Sequence, residues 1–270
     1  MVDIGSGSPL VLVPGIQGRW EWMRPAVDAL ARRLRVLTFT LAGERTSDHL
    51  FDPRLGFDNF IVQIDRVLEE AGVGSAVICG VSYGGLIAAR YAALRPERVR
   101  GVVLVSAPAP DYRPDPRAAF YLRAPRLLSP LFAAGAVRRA HVELRTAIPD
   151  APRRLRFAAA QLARVASAPT SPGRMRDRIR LLDDVELAQS VRRVTSPALV
   201  VTGEPALDKA VPVEQTRRYL DLLPQAESVM LTRTGHLGLV TRADEFAAVV
   251  AGFVRRADAH PRSCSHRVAG

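Results

Sequence analysis

Short, wholly apolar runs alternate along the first part of this chain with stretches in which apolar residues recur every three or four positions. Leu10-Val11-Leu12-Val13 is one such run, ended by Pro14-Gly15, and predicts a buried strand. Trp20, Met23, Val27, Leu30 and Leu34 then step at helical spacing. Val36 to Leu41 predicts a second strand, closed by Ala42-Gly43. Phe60, Ile61, Ile64, Val67, Leu68 and Ala71 form one helical stripe that Gly72 can stop. Ala76-Val77-Ile78 is a third apolar run, followed by Leu86, Ile87, Ala88, Tyr91 and Leu94 at helical spacing until Pro96. Val102 to Val105 is a fourth. Strands that are apolar throughout, separated by helices, predict an α/β fold: a mostly parallel sheet covered by helices on both faces.

The alternation stops after Ser106. Prolines 108, 110, 114, 116, 125 and 130 punctuate a segment without strand signals, and the chain to about Arg193 reads as several alanine- and arginine-rich helices. Ala198 to Val201 resumes the pattern. A helix over 213–223 follows, with Pro212 at its start, then a strand over 228–231. A last helix begins near Thr241, with Asp244 as a capping-box partner; its stripe is Phe246, Val249, Val250, Phe253 and Val254. Residues 1–110 and 194–256 therefore read as one core interrupted by an insertion at 111–193. Residues 257–270 read as a polar, disordered tail.

Composition narrows the class. With 270 residues, 48% of them apolar, the chain can bury a full core. No apolar run approaches the roughly 18 residues of a membrane span. The polar, Gly/Ser-rich start has no signal-peptide pattern, so a cytoplasmic protein is expected. Two cysteines make no disulfide framework. The net charge of +11 is concentrated: residues 111–193 hold 17 Arg against 8 Asp and Glu. A solvated helical surface is the plain reading, and steering of an anionic substrate the sharper one. No nucleic-acid-binding motif accompanies the arginines. No metal cluster or nucleotide motif is present, so no cofactor is expected.

The most informative stretch is Cys79-Gly80-Val81-Ser82-Tyr83-Gly84-Gly85. A serine between two glycines, between a strand and a helix, reads as a nucleophile elbow. The turn is so tight that side chains at 80 and 84 would collide, and the following helix aims its amides at whatever the serine attacks. A serine hydroxyl needs a base, and the base needs orienting. Of the five histidines, His236 lies in Thr234-Gly235-His236-Leu237-Gly238, beyond the carboxyl end of a strand, on the same sheet edge as Ser82. His49, after the second strand, is a candidate substrate contact. The candidate acid is Asp208, in the loop after Ala198 to Val201; Glu204 in the same loop and Asp111 are competitors. The oxyanion of a tetrahedral intermediate needs amide donors. Tyr83 supplies one, and the turn Pro14-Gly15-Ile16-Gln17-Gly18 another, from Ile16 or alternatively Gln17.

From Leu10 to Arg256 the chain resembles the α/β-hydrolase superfamily. The resemblance rests on Pro14 to Gly18, the elbow Gly80 to Gly84, the run Asp208 to Pro212, Gly235-His236, and the order Ser82, Asp208, His236. It implies a serine hydrolase whose insertion, 111–193, is a helical cap over the active site. The implied substrate is a small acyl compound, a carboxylic ester, lactone or thioester. The alternatives are C–C bond hydrolysis of an anionic diketone-like acid and a non-catalytic small-ligand binding protein. There are departures: proline stands at position 14 where many relatives have histidine, and the Gly203-to-Asp208 spacing is longer than usual. The hairpin that usually precedes the first parallel strand is missing or cut short.

Overall fold

A computed structural model describes residues 1–114, 120–121 and 123–259. Seven strands form one sheet in the order β1-β3-β2-β4-β5-β6-β7. They are β1 (Val2–Ile4), β2 (Pro9–Val13), β3 (Arg35–Thr38), β4 (Ala76–Val81), β5 (Val99–Val105), β6 (Ala198–Thr202) and β7 (Ala226–Met230). All neighbours pair in parallel except β1, which runs antiparallel to β3 and supplies the edge strand next to it. Because β2 to β7 point the same way, the loops leaving their carboxyl ends gather along one edge.

The helices explain why the strands are apolar on both faces. Val11, Val13, Ile78, Val102, Leu104 and Val200 face α2 (Asn59–Glu70) and α3 (Tyr83–Leu94). Their neighbours Leu10, Leu12, Val77, Cys79, Val103 and Val201 face α1 (Arg24–Ala31) and the last helix. Each fully buried Leu, Val or Phe contributes about 1.5–3 kcal/mol relative to exposure, so the sheet gains apolar stabilisation from both faces. Cys79 is one of these hydrophobes; burial pushes its thiol pKa far above the ordinary value.

Between β5 and β6 run α4 (Pro125–Ala147), α5 (Ala151–Ser167), α6 (Pro172–Arg180) and α7 (Leu187–Val191). This inserted segment contains no strand among its described residues. After β6 come α8 (Val213–Leu222), β7, the single turn α9 (Gly238–Thr241) and α10 (Ala243–Ala259).

Several boundaries differ from the sequence reading, each for a local reason. The apolar pattern runs to Leu41, but β3 ends at Thr38. Gln63 takes over there: its Nε2 donates to the Thr40 carbonyl and its Oε1 accepts from Ala42, both at 2.9 Å. β7 starts at Ala226, earlier than its apolar signal, because it is an exposed edge strand. The last helix does not start at Thr241 with an Asp244 cap. Thr241 Oγ1 donates to the Leu237 carbonyl at 3.0 Å, the helical conformation is interrupted at Arg242, and Asp244 is bound by Arg32. That helix also continues through Ala259, with Ala257 buried, so residues 257–259 are not tail. Residues 260–270, including His260, Cys264 and His266, lie outside the described residues.

Candidate active site

Ser82 sits at the end of β4 with φ 54° and ψ −122°, a conformation that side chains rarely adopt. The elbow is enforced from several sides. Ser82 N donates to the Val105 carbonyl and Gly85 N to the Ser82 carbonyl, each at 2.8 Å. A Cβ on Gly84 would lie 2.5 Å from the carbonyl oxygens of Val13 and Pro14, and one on Gly80 would run into the Gly84 carbonyl. The Ser82 side chain makes no capping bond to α3, and the residue is partly exposed. It is thus presented at the amino end of a twelve-residue helix.

Two further loops leave the same edge of the sheet, after β6 and β7, and meet each other. Asp208, in the loop after β6, is buried. Its Oδ1 accepts from the amides of Ala210 and Val211 at 3.1 and 3.0 Å, which leaves Oδ2 facing His236 Nδ1 at 3.3 Å. Glycine makes this approach possible. A Cβ on Gly235 would lie 2.5 Å from the Leu207 carbonyl, and one on Gly203 would lie 2.6 Å from Gly235. Burial pushes the Asp208 carboxyl upward, but the His236 bond, its charge and the two amides outweigh this and the net shift is downward. For His236, burial pulls the imidazole down, while the Asp208 bond and the charges of Asp208 and Glu143 raise it by more.

The competing acids are engaged elsewhere. Glu204 Oε1 accepts from the Arg233 amide at 2.6 Å. Asp111 pairs with Arg218 at 2.7 Å on an exposed surface. His49 is buried, its Nδ1 has no hydrogen-bond partner, and burial lowers its pKa, aided by the Arg66 charge. His141 is exposed on α4. Among the described residues no group of three His, Cys, Asp or Glu side chains is placed to hold a metal ion.

Two buried charged side chains of the inserted segment reach this edge, and the sequence reading missed both. Arg178 of α6 is 3% exposed. Its Nη1 donates to the Ile16 carbonyl and its Nη2 to Glu44 Oε1, both at 2.8 Å. The guanidinium lies where a Gly18 side chain would be. Its main-chain carbonyl accepts from the Tyr83 hydroxyl at 2.9 Å. Glu143 of α4 accepts from the amides of Gly235 and Leu237. One signal was available: Glu143 is the only acidic residue of α4, an otherwise basic helix. A cleft of about 410 Å³ between the start of α1 and α5 is lined by Trp20, Glu21, Arg24, Asp28, Arg164 and Ser167, none of them a residue of this constellation.

A family model described as the alpha/beta hydrolase fold matches residues 8–243. The chain belongs to the α/β-hydrolase fold family. Among curated relatives, it is 26% identical to the pimeloyl-(acyl-carrier protein) methyl ester esterase of Aliivibrio salmonicida, over 94% of this chain and 95% of that one. It is also 26% identical to the 2-hydroxymuconate semialdehyde hydrolase of a Pseudomonas strain, over 95% of this chain and 90% of that one. Among solved structures, the enol-lactonase from Burkholderia xenovorans superposes with a TM-score of 0.73 at 22% identity, covering 94% of this chain and 95% of that one. No helix among the described residues is long and apolar enough to cross a membrane.

Proposed function

We propose that this member of the α/β-hydrolase fold family is a serine hydrolase that cleaves a carboxylic ester, lactone or thioester through an acyl-enzyme. The observation that carries the reading is the pairing of His236 with buried Asp208 on the sheet edge where Ser82 stands in its elbow. The curated relatives, one a methyl ester esterase and the other a hydrolase, support hydrolysis.

In this reading the roles are as follows. Ser82 attacks the acyl carbon while His236 Nε2 takes its proton. Asp208 holds the imidazole with Nδ1–H toward Oδ2 and stabilises the imidazolium. The amides of Tyr83 and Ile16 receive the oxyanion, and the amino end of α3 adds its dipole. His236 then protonates the leaving alcohol or thiol. Water, activated by the same imidazole, attacks the acyl carbon and frees the acid. The inserted segment 111–193 is the cap over this site.

The test is turnover of p-nitrophenyl esters of increasing acyl length by wild type and Ser82→Ala, with fluorophosphonate labelling of both. Activity and labelling present in wild type and absent in the variant are expected. An unlabelled, inactive wild type would remove the serine-hydrolase reading and leave a ligand-binding pocket.

A further inference from the structure

The loop that carries His236 is held from outside the core by the last two turns of α4. Glu143 is 3% exposed. Its Oε1 accepts from the amide of Gly235 at 2.7 Å and from that of Leu237 at 2.8 Å, the two residues that flank His236. One turn further along α4, the Thr146 carbonyl accepts from Arg233 Nη2 at 3.0 Å. Arg233 itself sits at φ 59° with its amide bound to Glu204. The loop is therefore clasped at 233, 235 and 237, on either side of the imidazole.

A neutral main-chain carbonyl would satisfy such amides. A buried carboxylate is a costly substitute unless its charge acts on something. The titratable groups that face it are His236 and Asp208. Burial pushes the Glu143 carboxyl up, the two amides and the His236 charge pull it down, and Asp208 pushes it up again; the net shift is upward. The influence is mutual, since Glu143 is one of the two carboxylates that raise His236. Asp208 alone orients Nδ1, but it leaves the peptide groups that carry the ring to be fixed by something else.

We propose that Glu143 is a positioning residue for the base: it fixes the peptide groups on both sides of His236 and sets a second negative charge beside the imidazolium that forms when Ser82 loses its proton. This rests on the reading of Ser82 and His236 as nucleophile and base. It makes α4 part of the catalytic apparatus rather than a detachable cover, because a displaced α4 would release the base loop.

Two substitutions separate the geometric role from the charge. Glu143→Gln keeps an oxygen that can accept from both amides and loses the charge. Glu143→Leu loses both. The probe is p-nitrophenyl butyrate, with kcat and KM followed across pH, beside Ser82→Ala and fluorophosphonate labelling. For Glu143→Gln a several-fold lower kcat is expected, with KM little changed and the acid limb of kcat/KM moved to lower pH, since one of the charges favouring imidazolium is gone. For Glu143→Leu the loss of kcat should be larger, roughly 10- to 100-fold, as for a misplaced catalytic group. If wild type turns over and is labelled, but Glu143→Gln keeps the wild-type kcat and acid limb, the assignment is overturned whatever its melting temperature does. If Glu143→Leu does not fold, the acid limb of Glu143→Gln decides alone. If wild type is neither active nor labelled, the serine-hydrolase reading fails first and takes this assignment with it.

Discussion

The Tyr83 hydroxyl donates to the main-chain carbonyl of Arg178 at 2.9 Å, joining the residue after the elbow serine to the inserted helix α6. The same arginine sends its side chain to the carbonyl of Ile16 and to Glu44. One residue of the insertion thus touches both residues proposed to supply oxyanion amides. Tyr83 is packed against Phe57 and Phe60, so its hydroxyl has little freedom to find another acceptor.

Arg178→Met should therefore cost both stability and rate. The Arg178–Glu44 pair is almost fully buried, with 4% and 2% of the side chains exposed. Removing one partner of a buried pair costs about 3–5 kcal/mol, and the low end is expected because Arg174 still pairs with Glu44 at 3.1 Å. The double variant Arg178→Met, Glu44→Met should recover most of that stability in urea unfolding, since a well-packed apolar pair is often neutral. Its kcat on p-nitrophenyl esters should stay low, because the Ile16 carbonyl is still untethered. Recovery of both would show that Arg178 only packs.

At Ser82 stability and the proposed function pull apart. A residue with a side chain at φ 54° carries strain of about 1–3 kcal/mol, which glycine does not. Ser82→Gly and Ser82→Ala should both be inactive. The glycine variant should nevertheless be the more stable of the two by about 1 kcal/mol, after the 0.5–1 kcal/mol that glycine loses in ordering. Chemical denaturation of the pair checks this, and equal midpoints would mean the elbow is unstrained.

The pH dependence has opposite signs for rate and for stability. In the proposed mechanism His236 must be neutral to accept a proton, and its pKa is raised from 6.5, so kcat/KM should fall as pH drops through a value above 6.5. The raised imidazole contributes stability that is fully present below 6.5 and lost as pH rises through its folded pKa. Asp208, lowered from 3.8, contributes stability present above 3.8 and lost as pH falls through its folded pKa. The pair thus stabilises most in the window where the proposed base is protonated and idle. Asp208→Asn should lower kcat by roughly 10⁴-fold and move the acid limb down. Rate profiles and urea midpoints on both sides of the limb measure the two effects.

Much of this was legible in residues whose constraints are local. The apolar runs of β2, β4, β5 and β6 are continuous because both faces are covered. Glycine at 80 and 84 marks a turn that tolerates no side chain. Loops after parallel strands must share an edge, which is why Asp208 and His236 could be paired from sequence and lie 3.3 Å apart. What was not legible depends on contacts between distant segments. Gln63 ends β3 through bonds to Thr40 and Ala42. Arg178 reaches Ile16 across 162 positions and Glu143 reaches Gly235 across 92, and no periodicity encodes such a meeting.

Gly235 tests whether the contact between the Asp208 and His236 loops matters in itself. A Cβ there would lie 2.5 Å from the Leu207 carbonyl and 2.7 Å from the Asp208 amide, both main-chain atoms that cannot swing aside. Gly235→Ala must push the His236 loop away from the Asp208 loop, or shift both. Overpacking of this kind costs about 1–3 kcal/mol, which a domain of this size survives. The separation of His236 from Asp208, now 3.3 Å, should grow, so kcat should fall more than the loss of stability explains. The control is Gly74→Ala, where nothing lies within 4 Å of the added carbon. It should change stability by no more than about 0.5 kcal/mol and leave kcat alone. If Gly235→Ala kept full kcat with a lowered urea midpoint, the close approach of the two loops would serve folding and not the base.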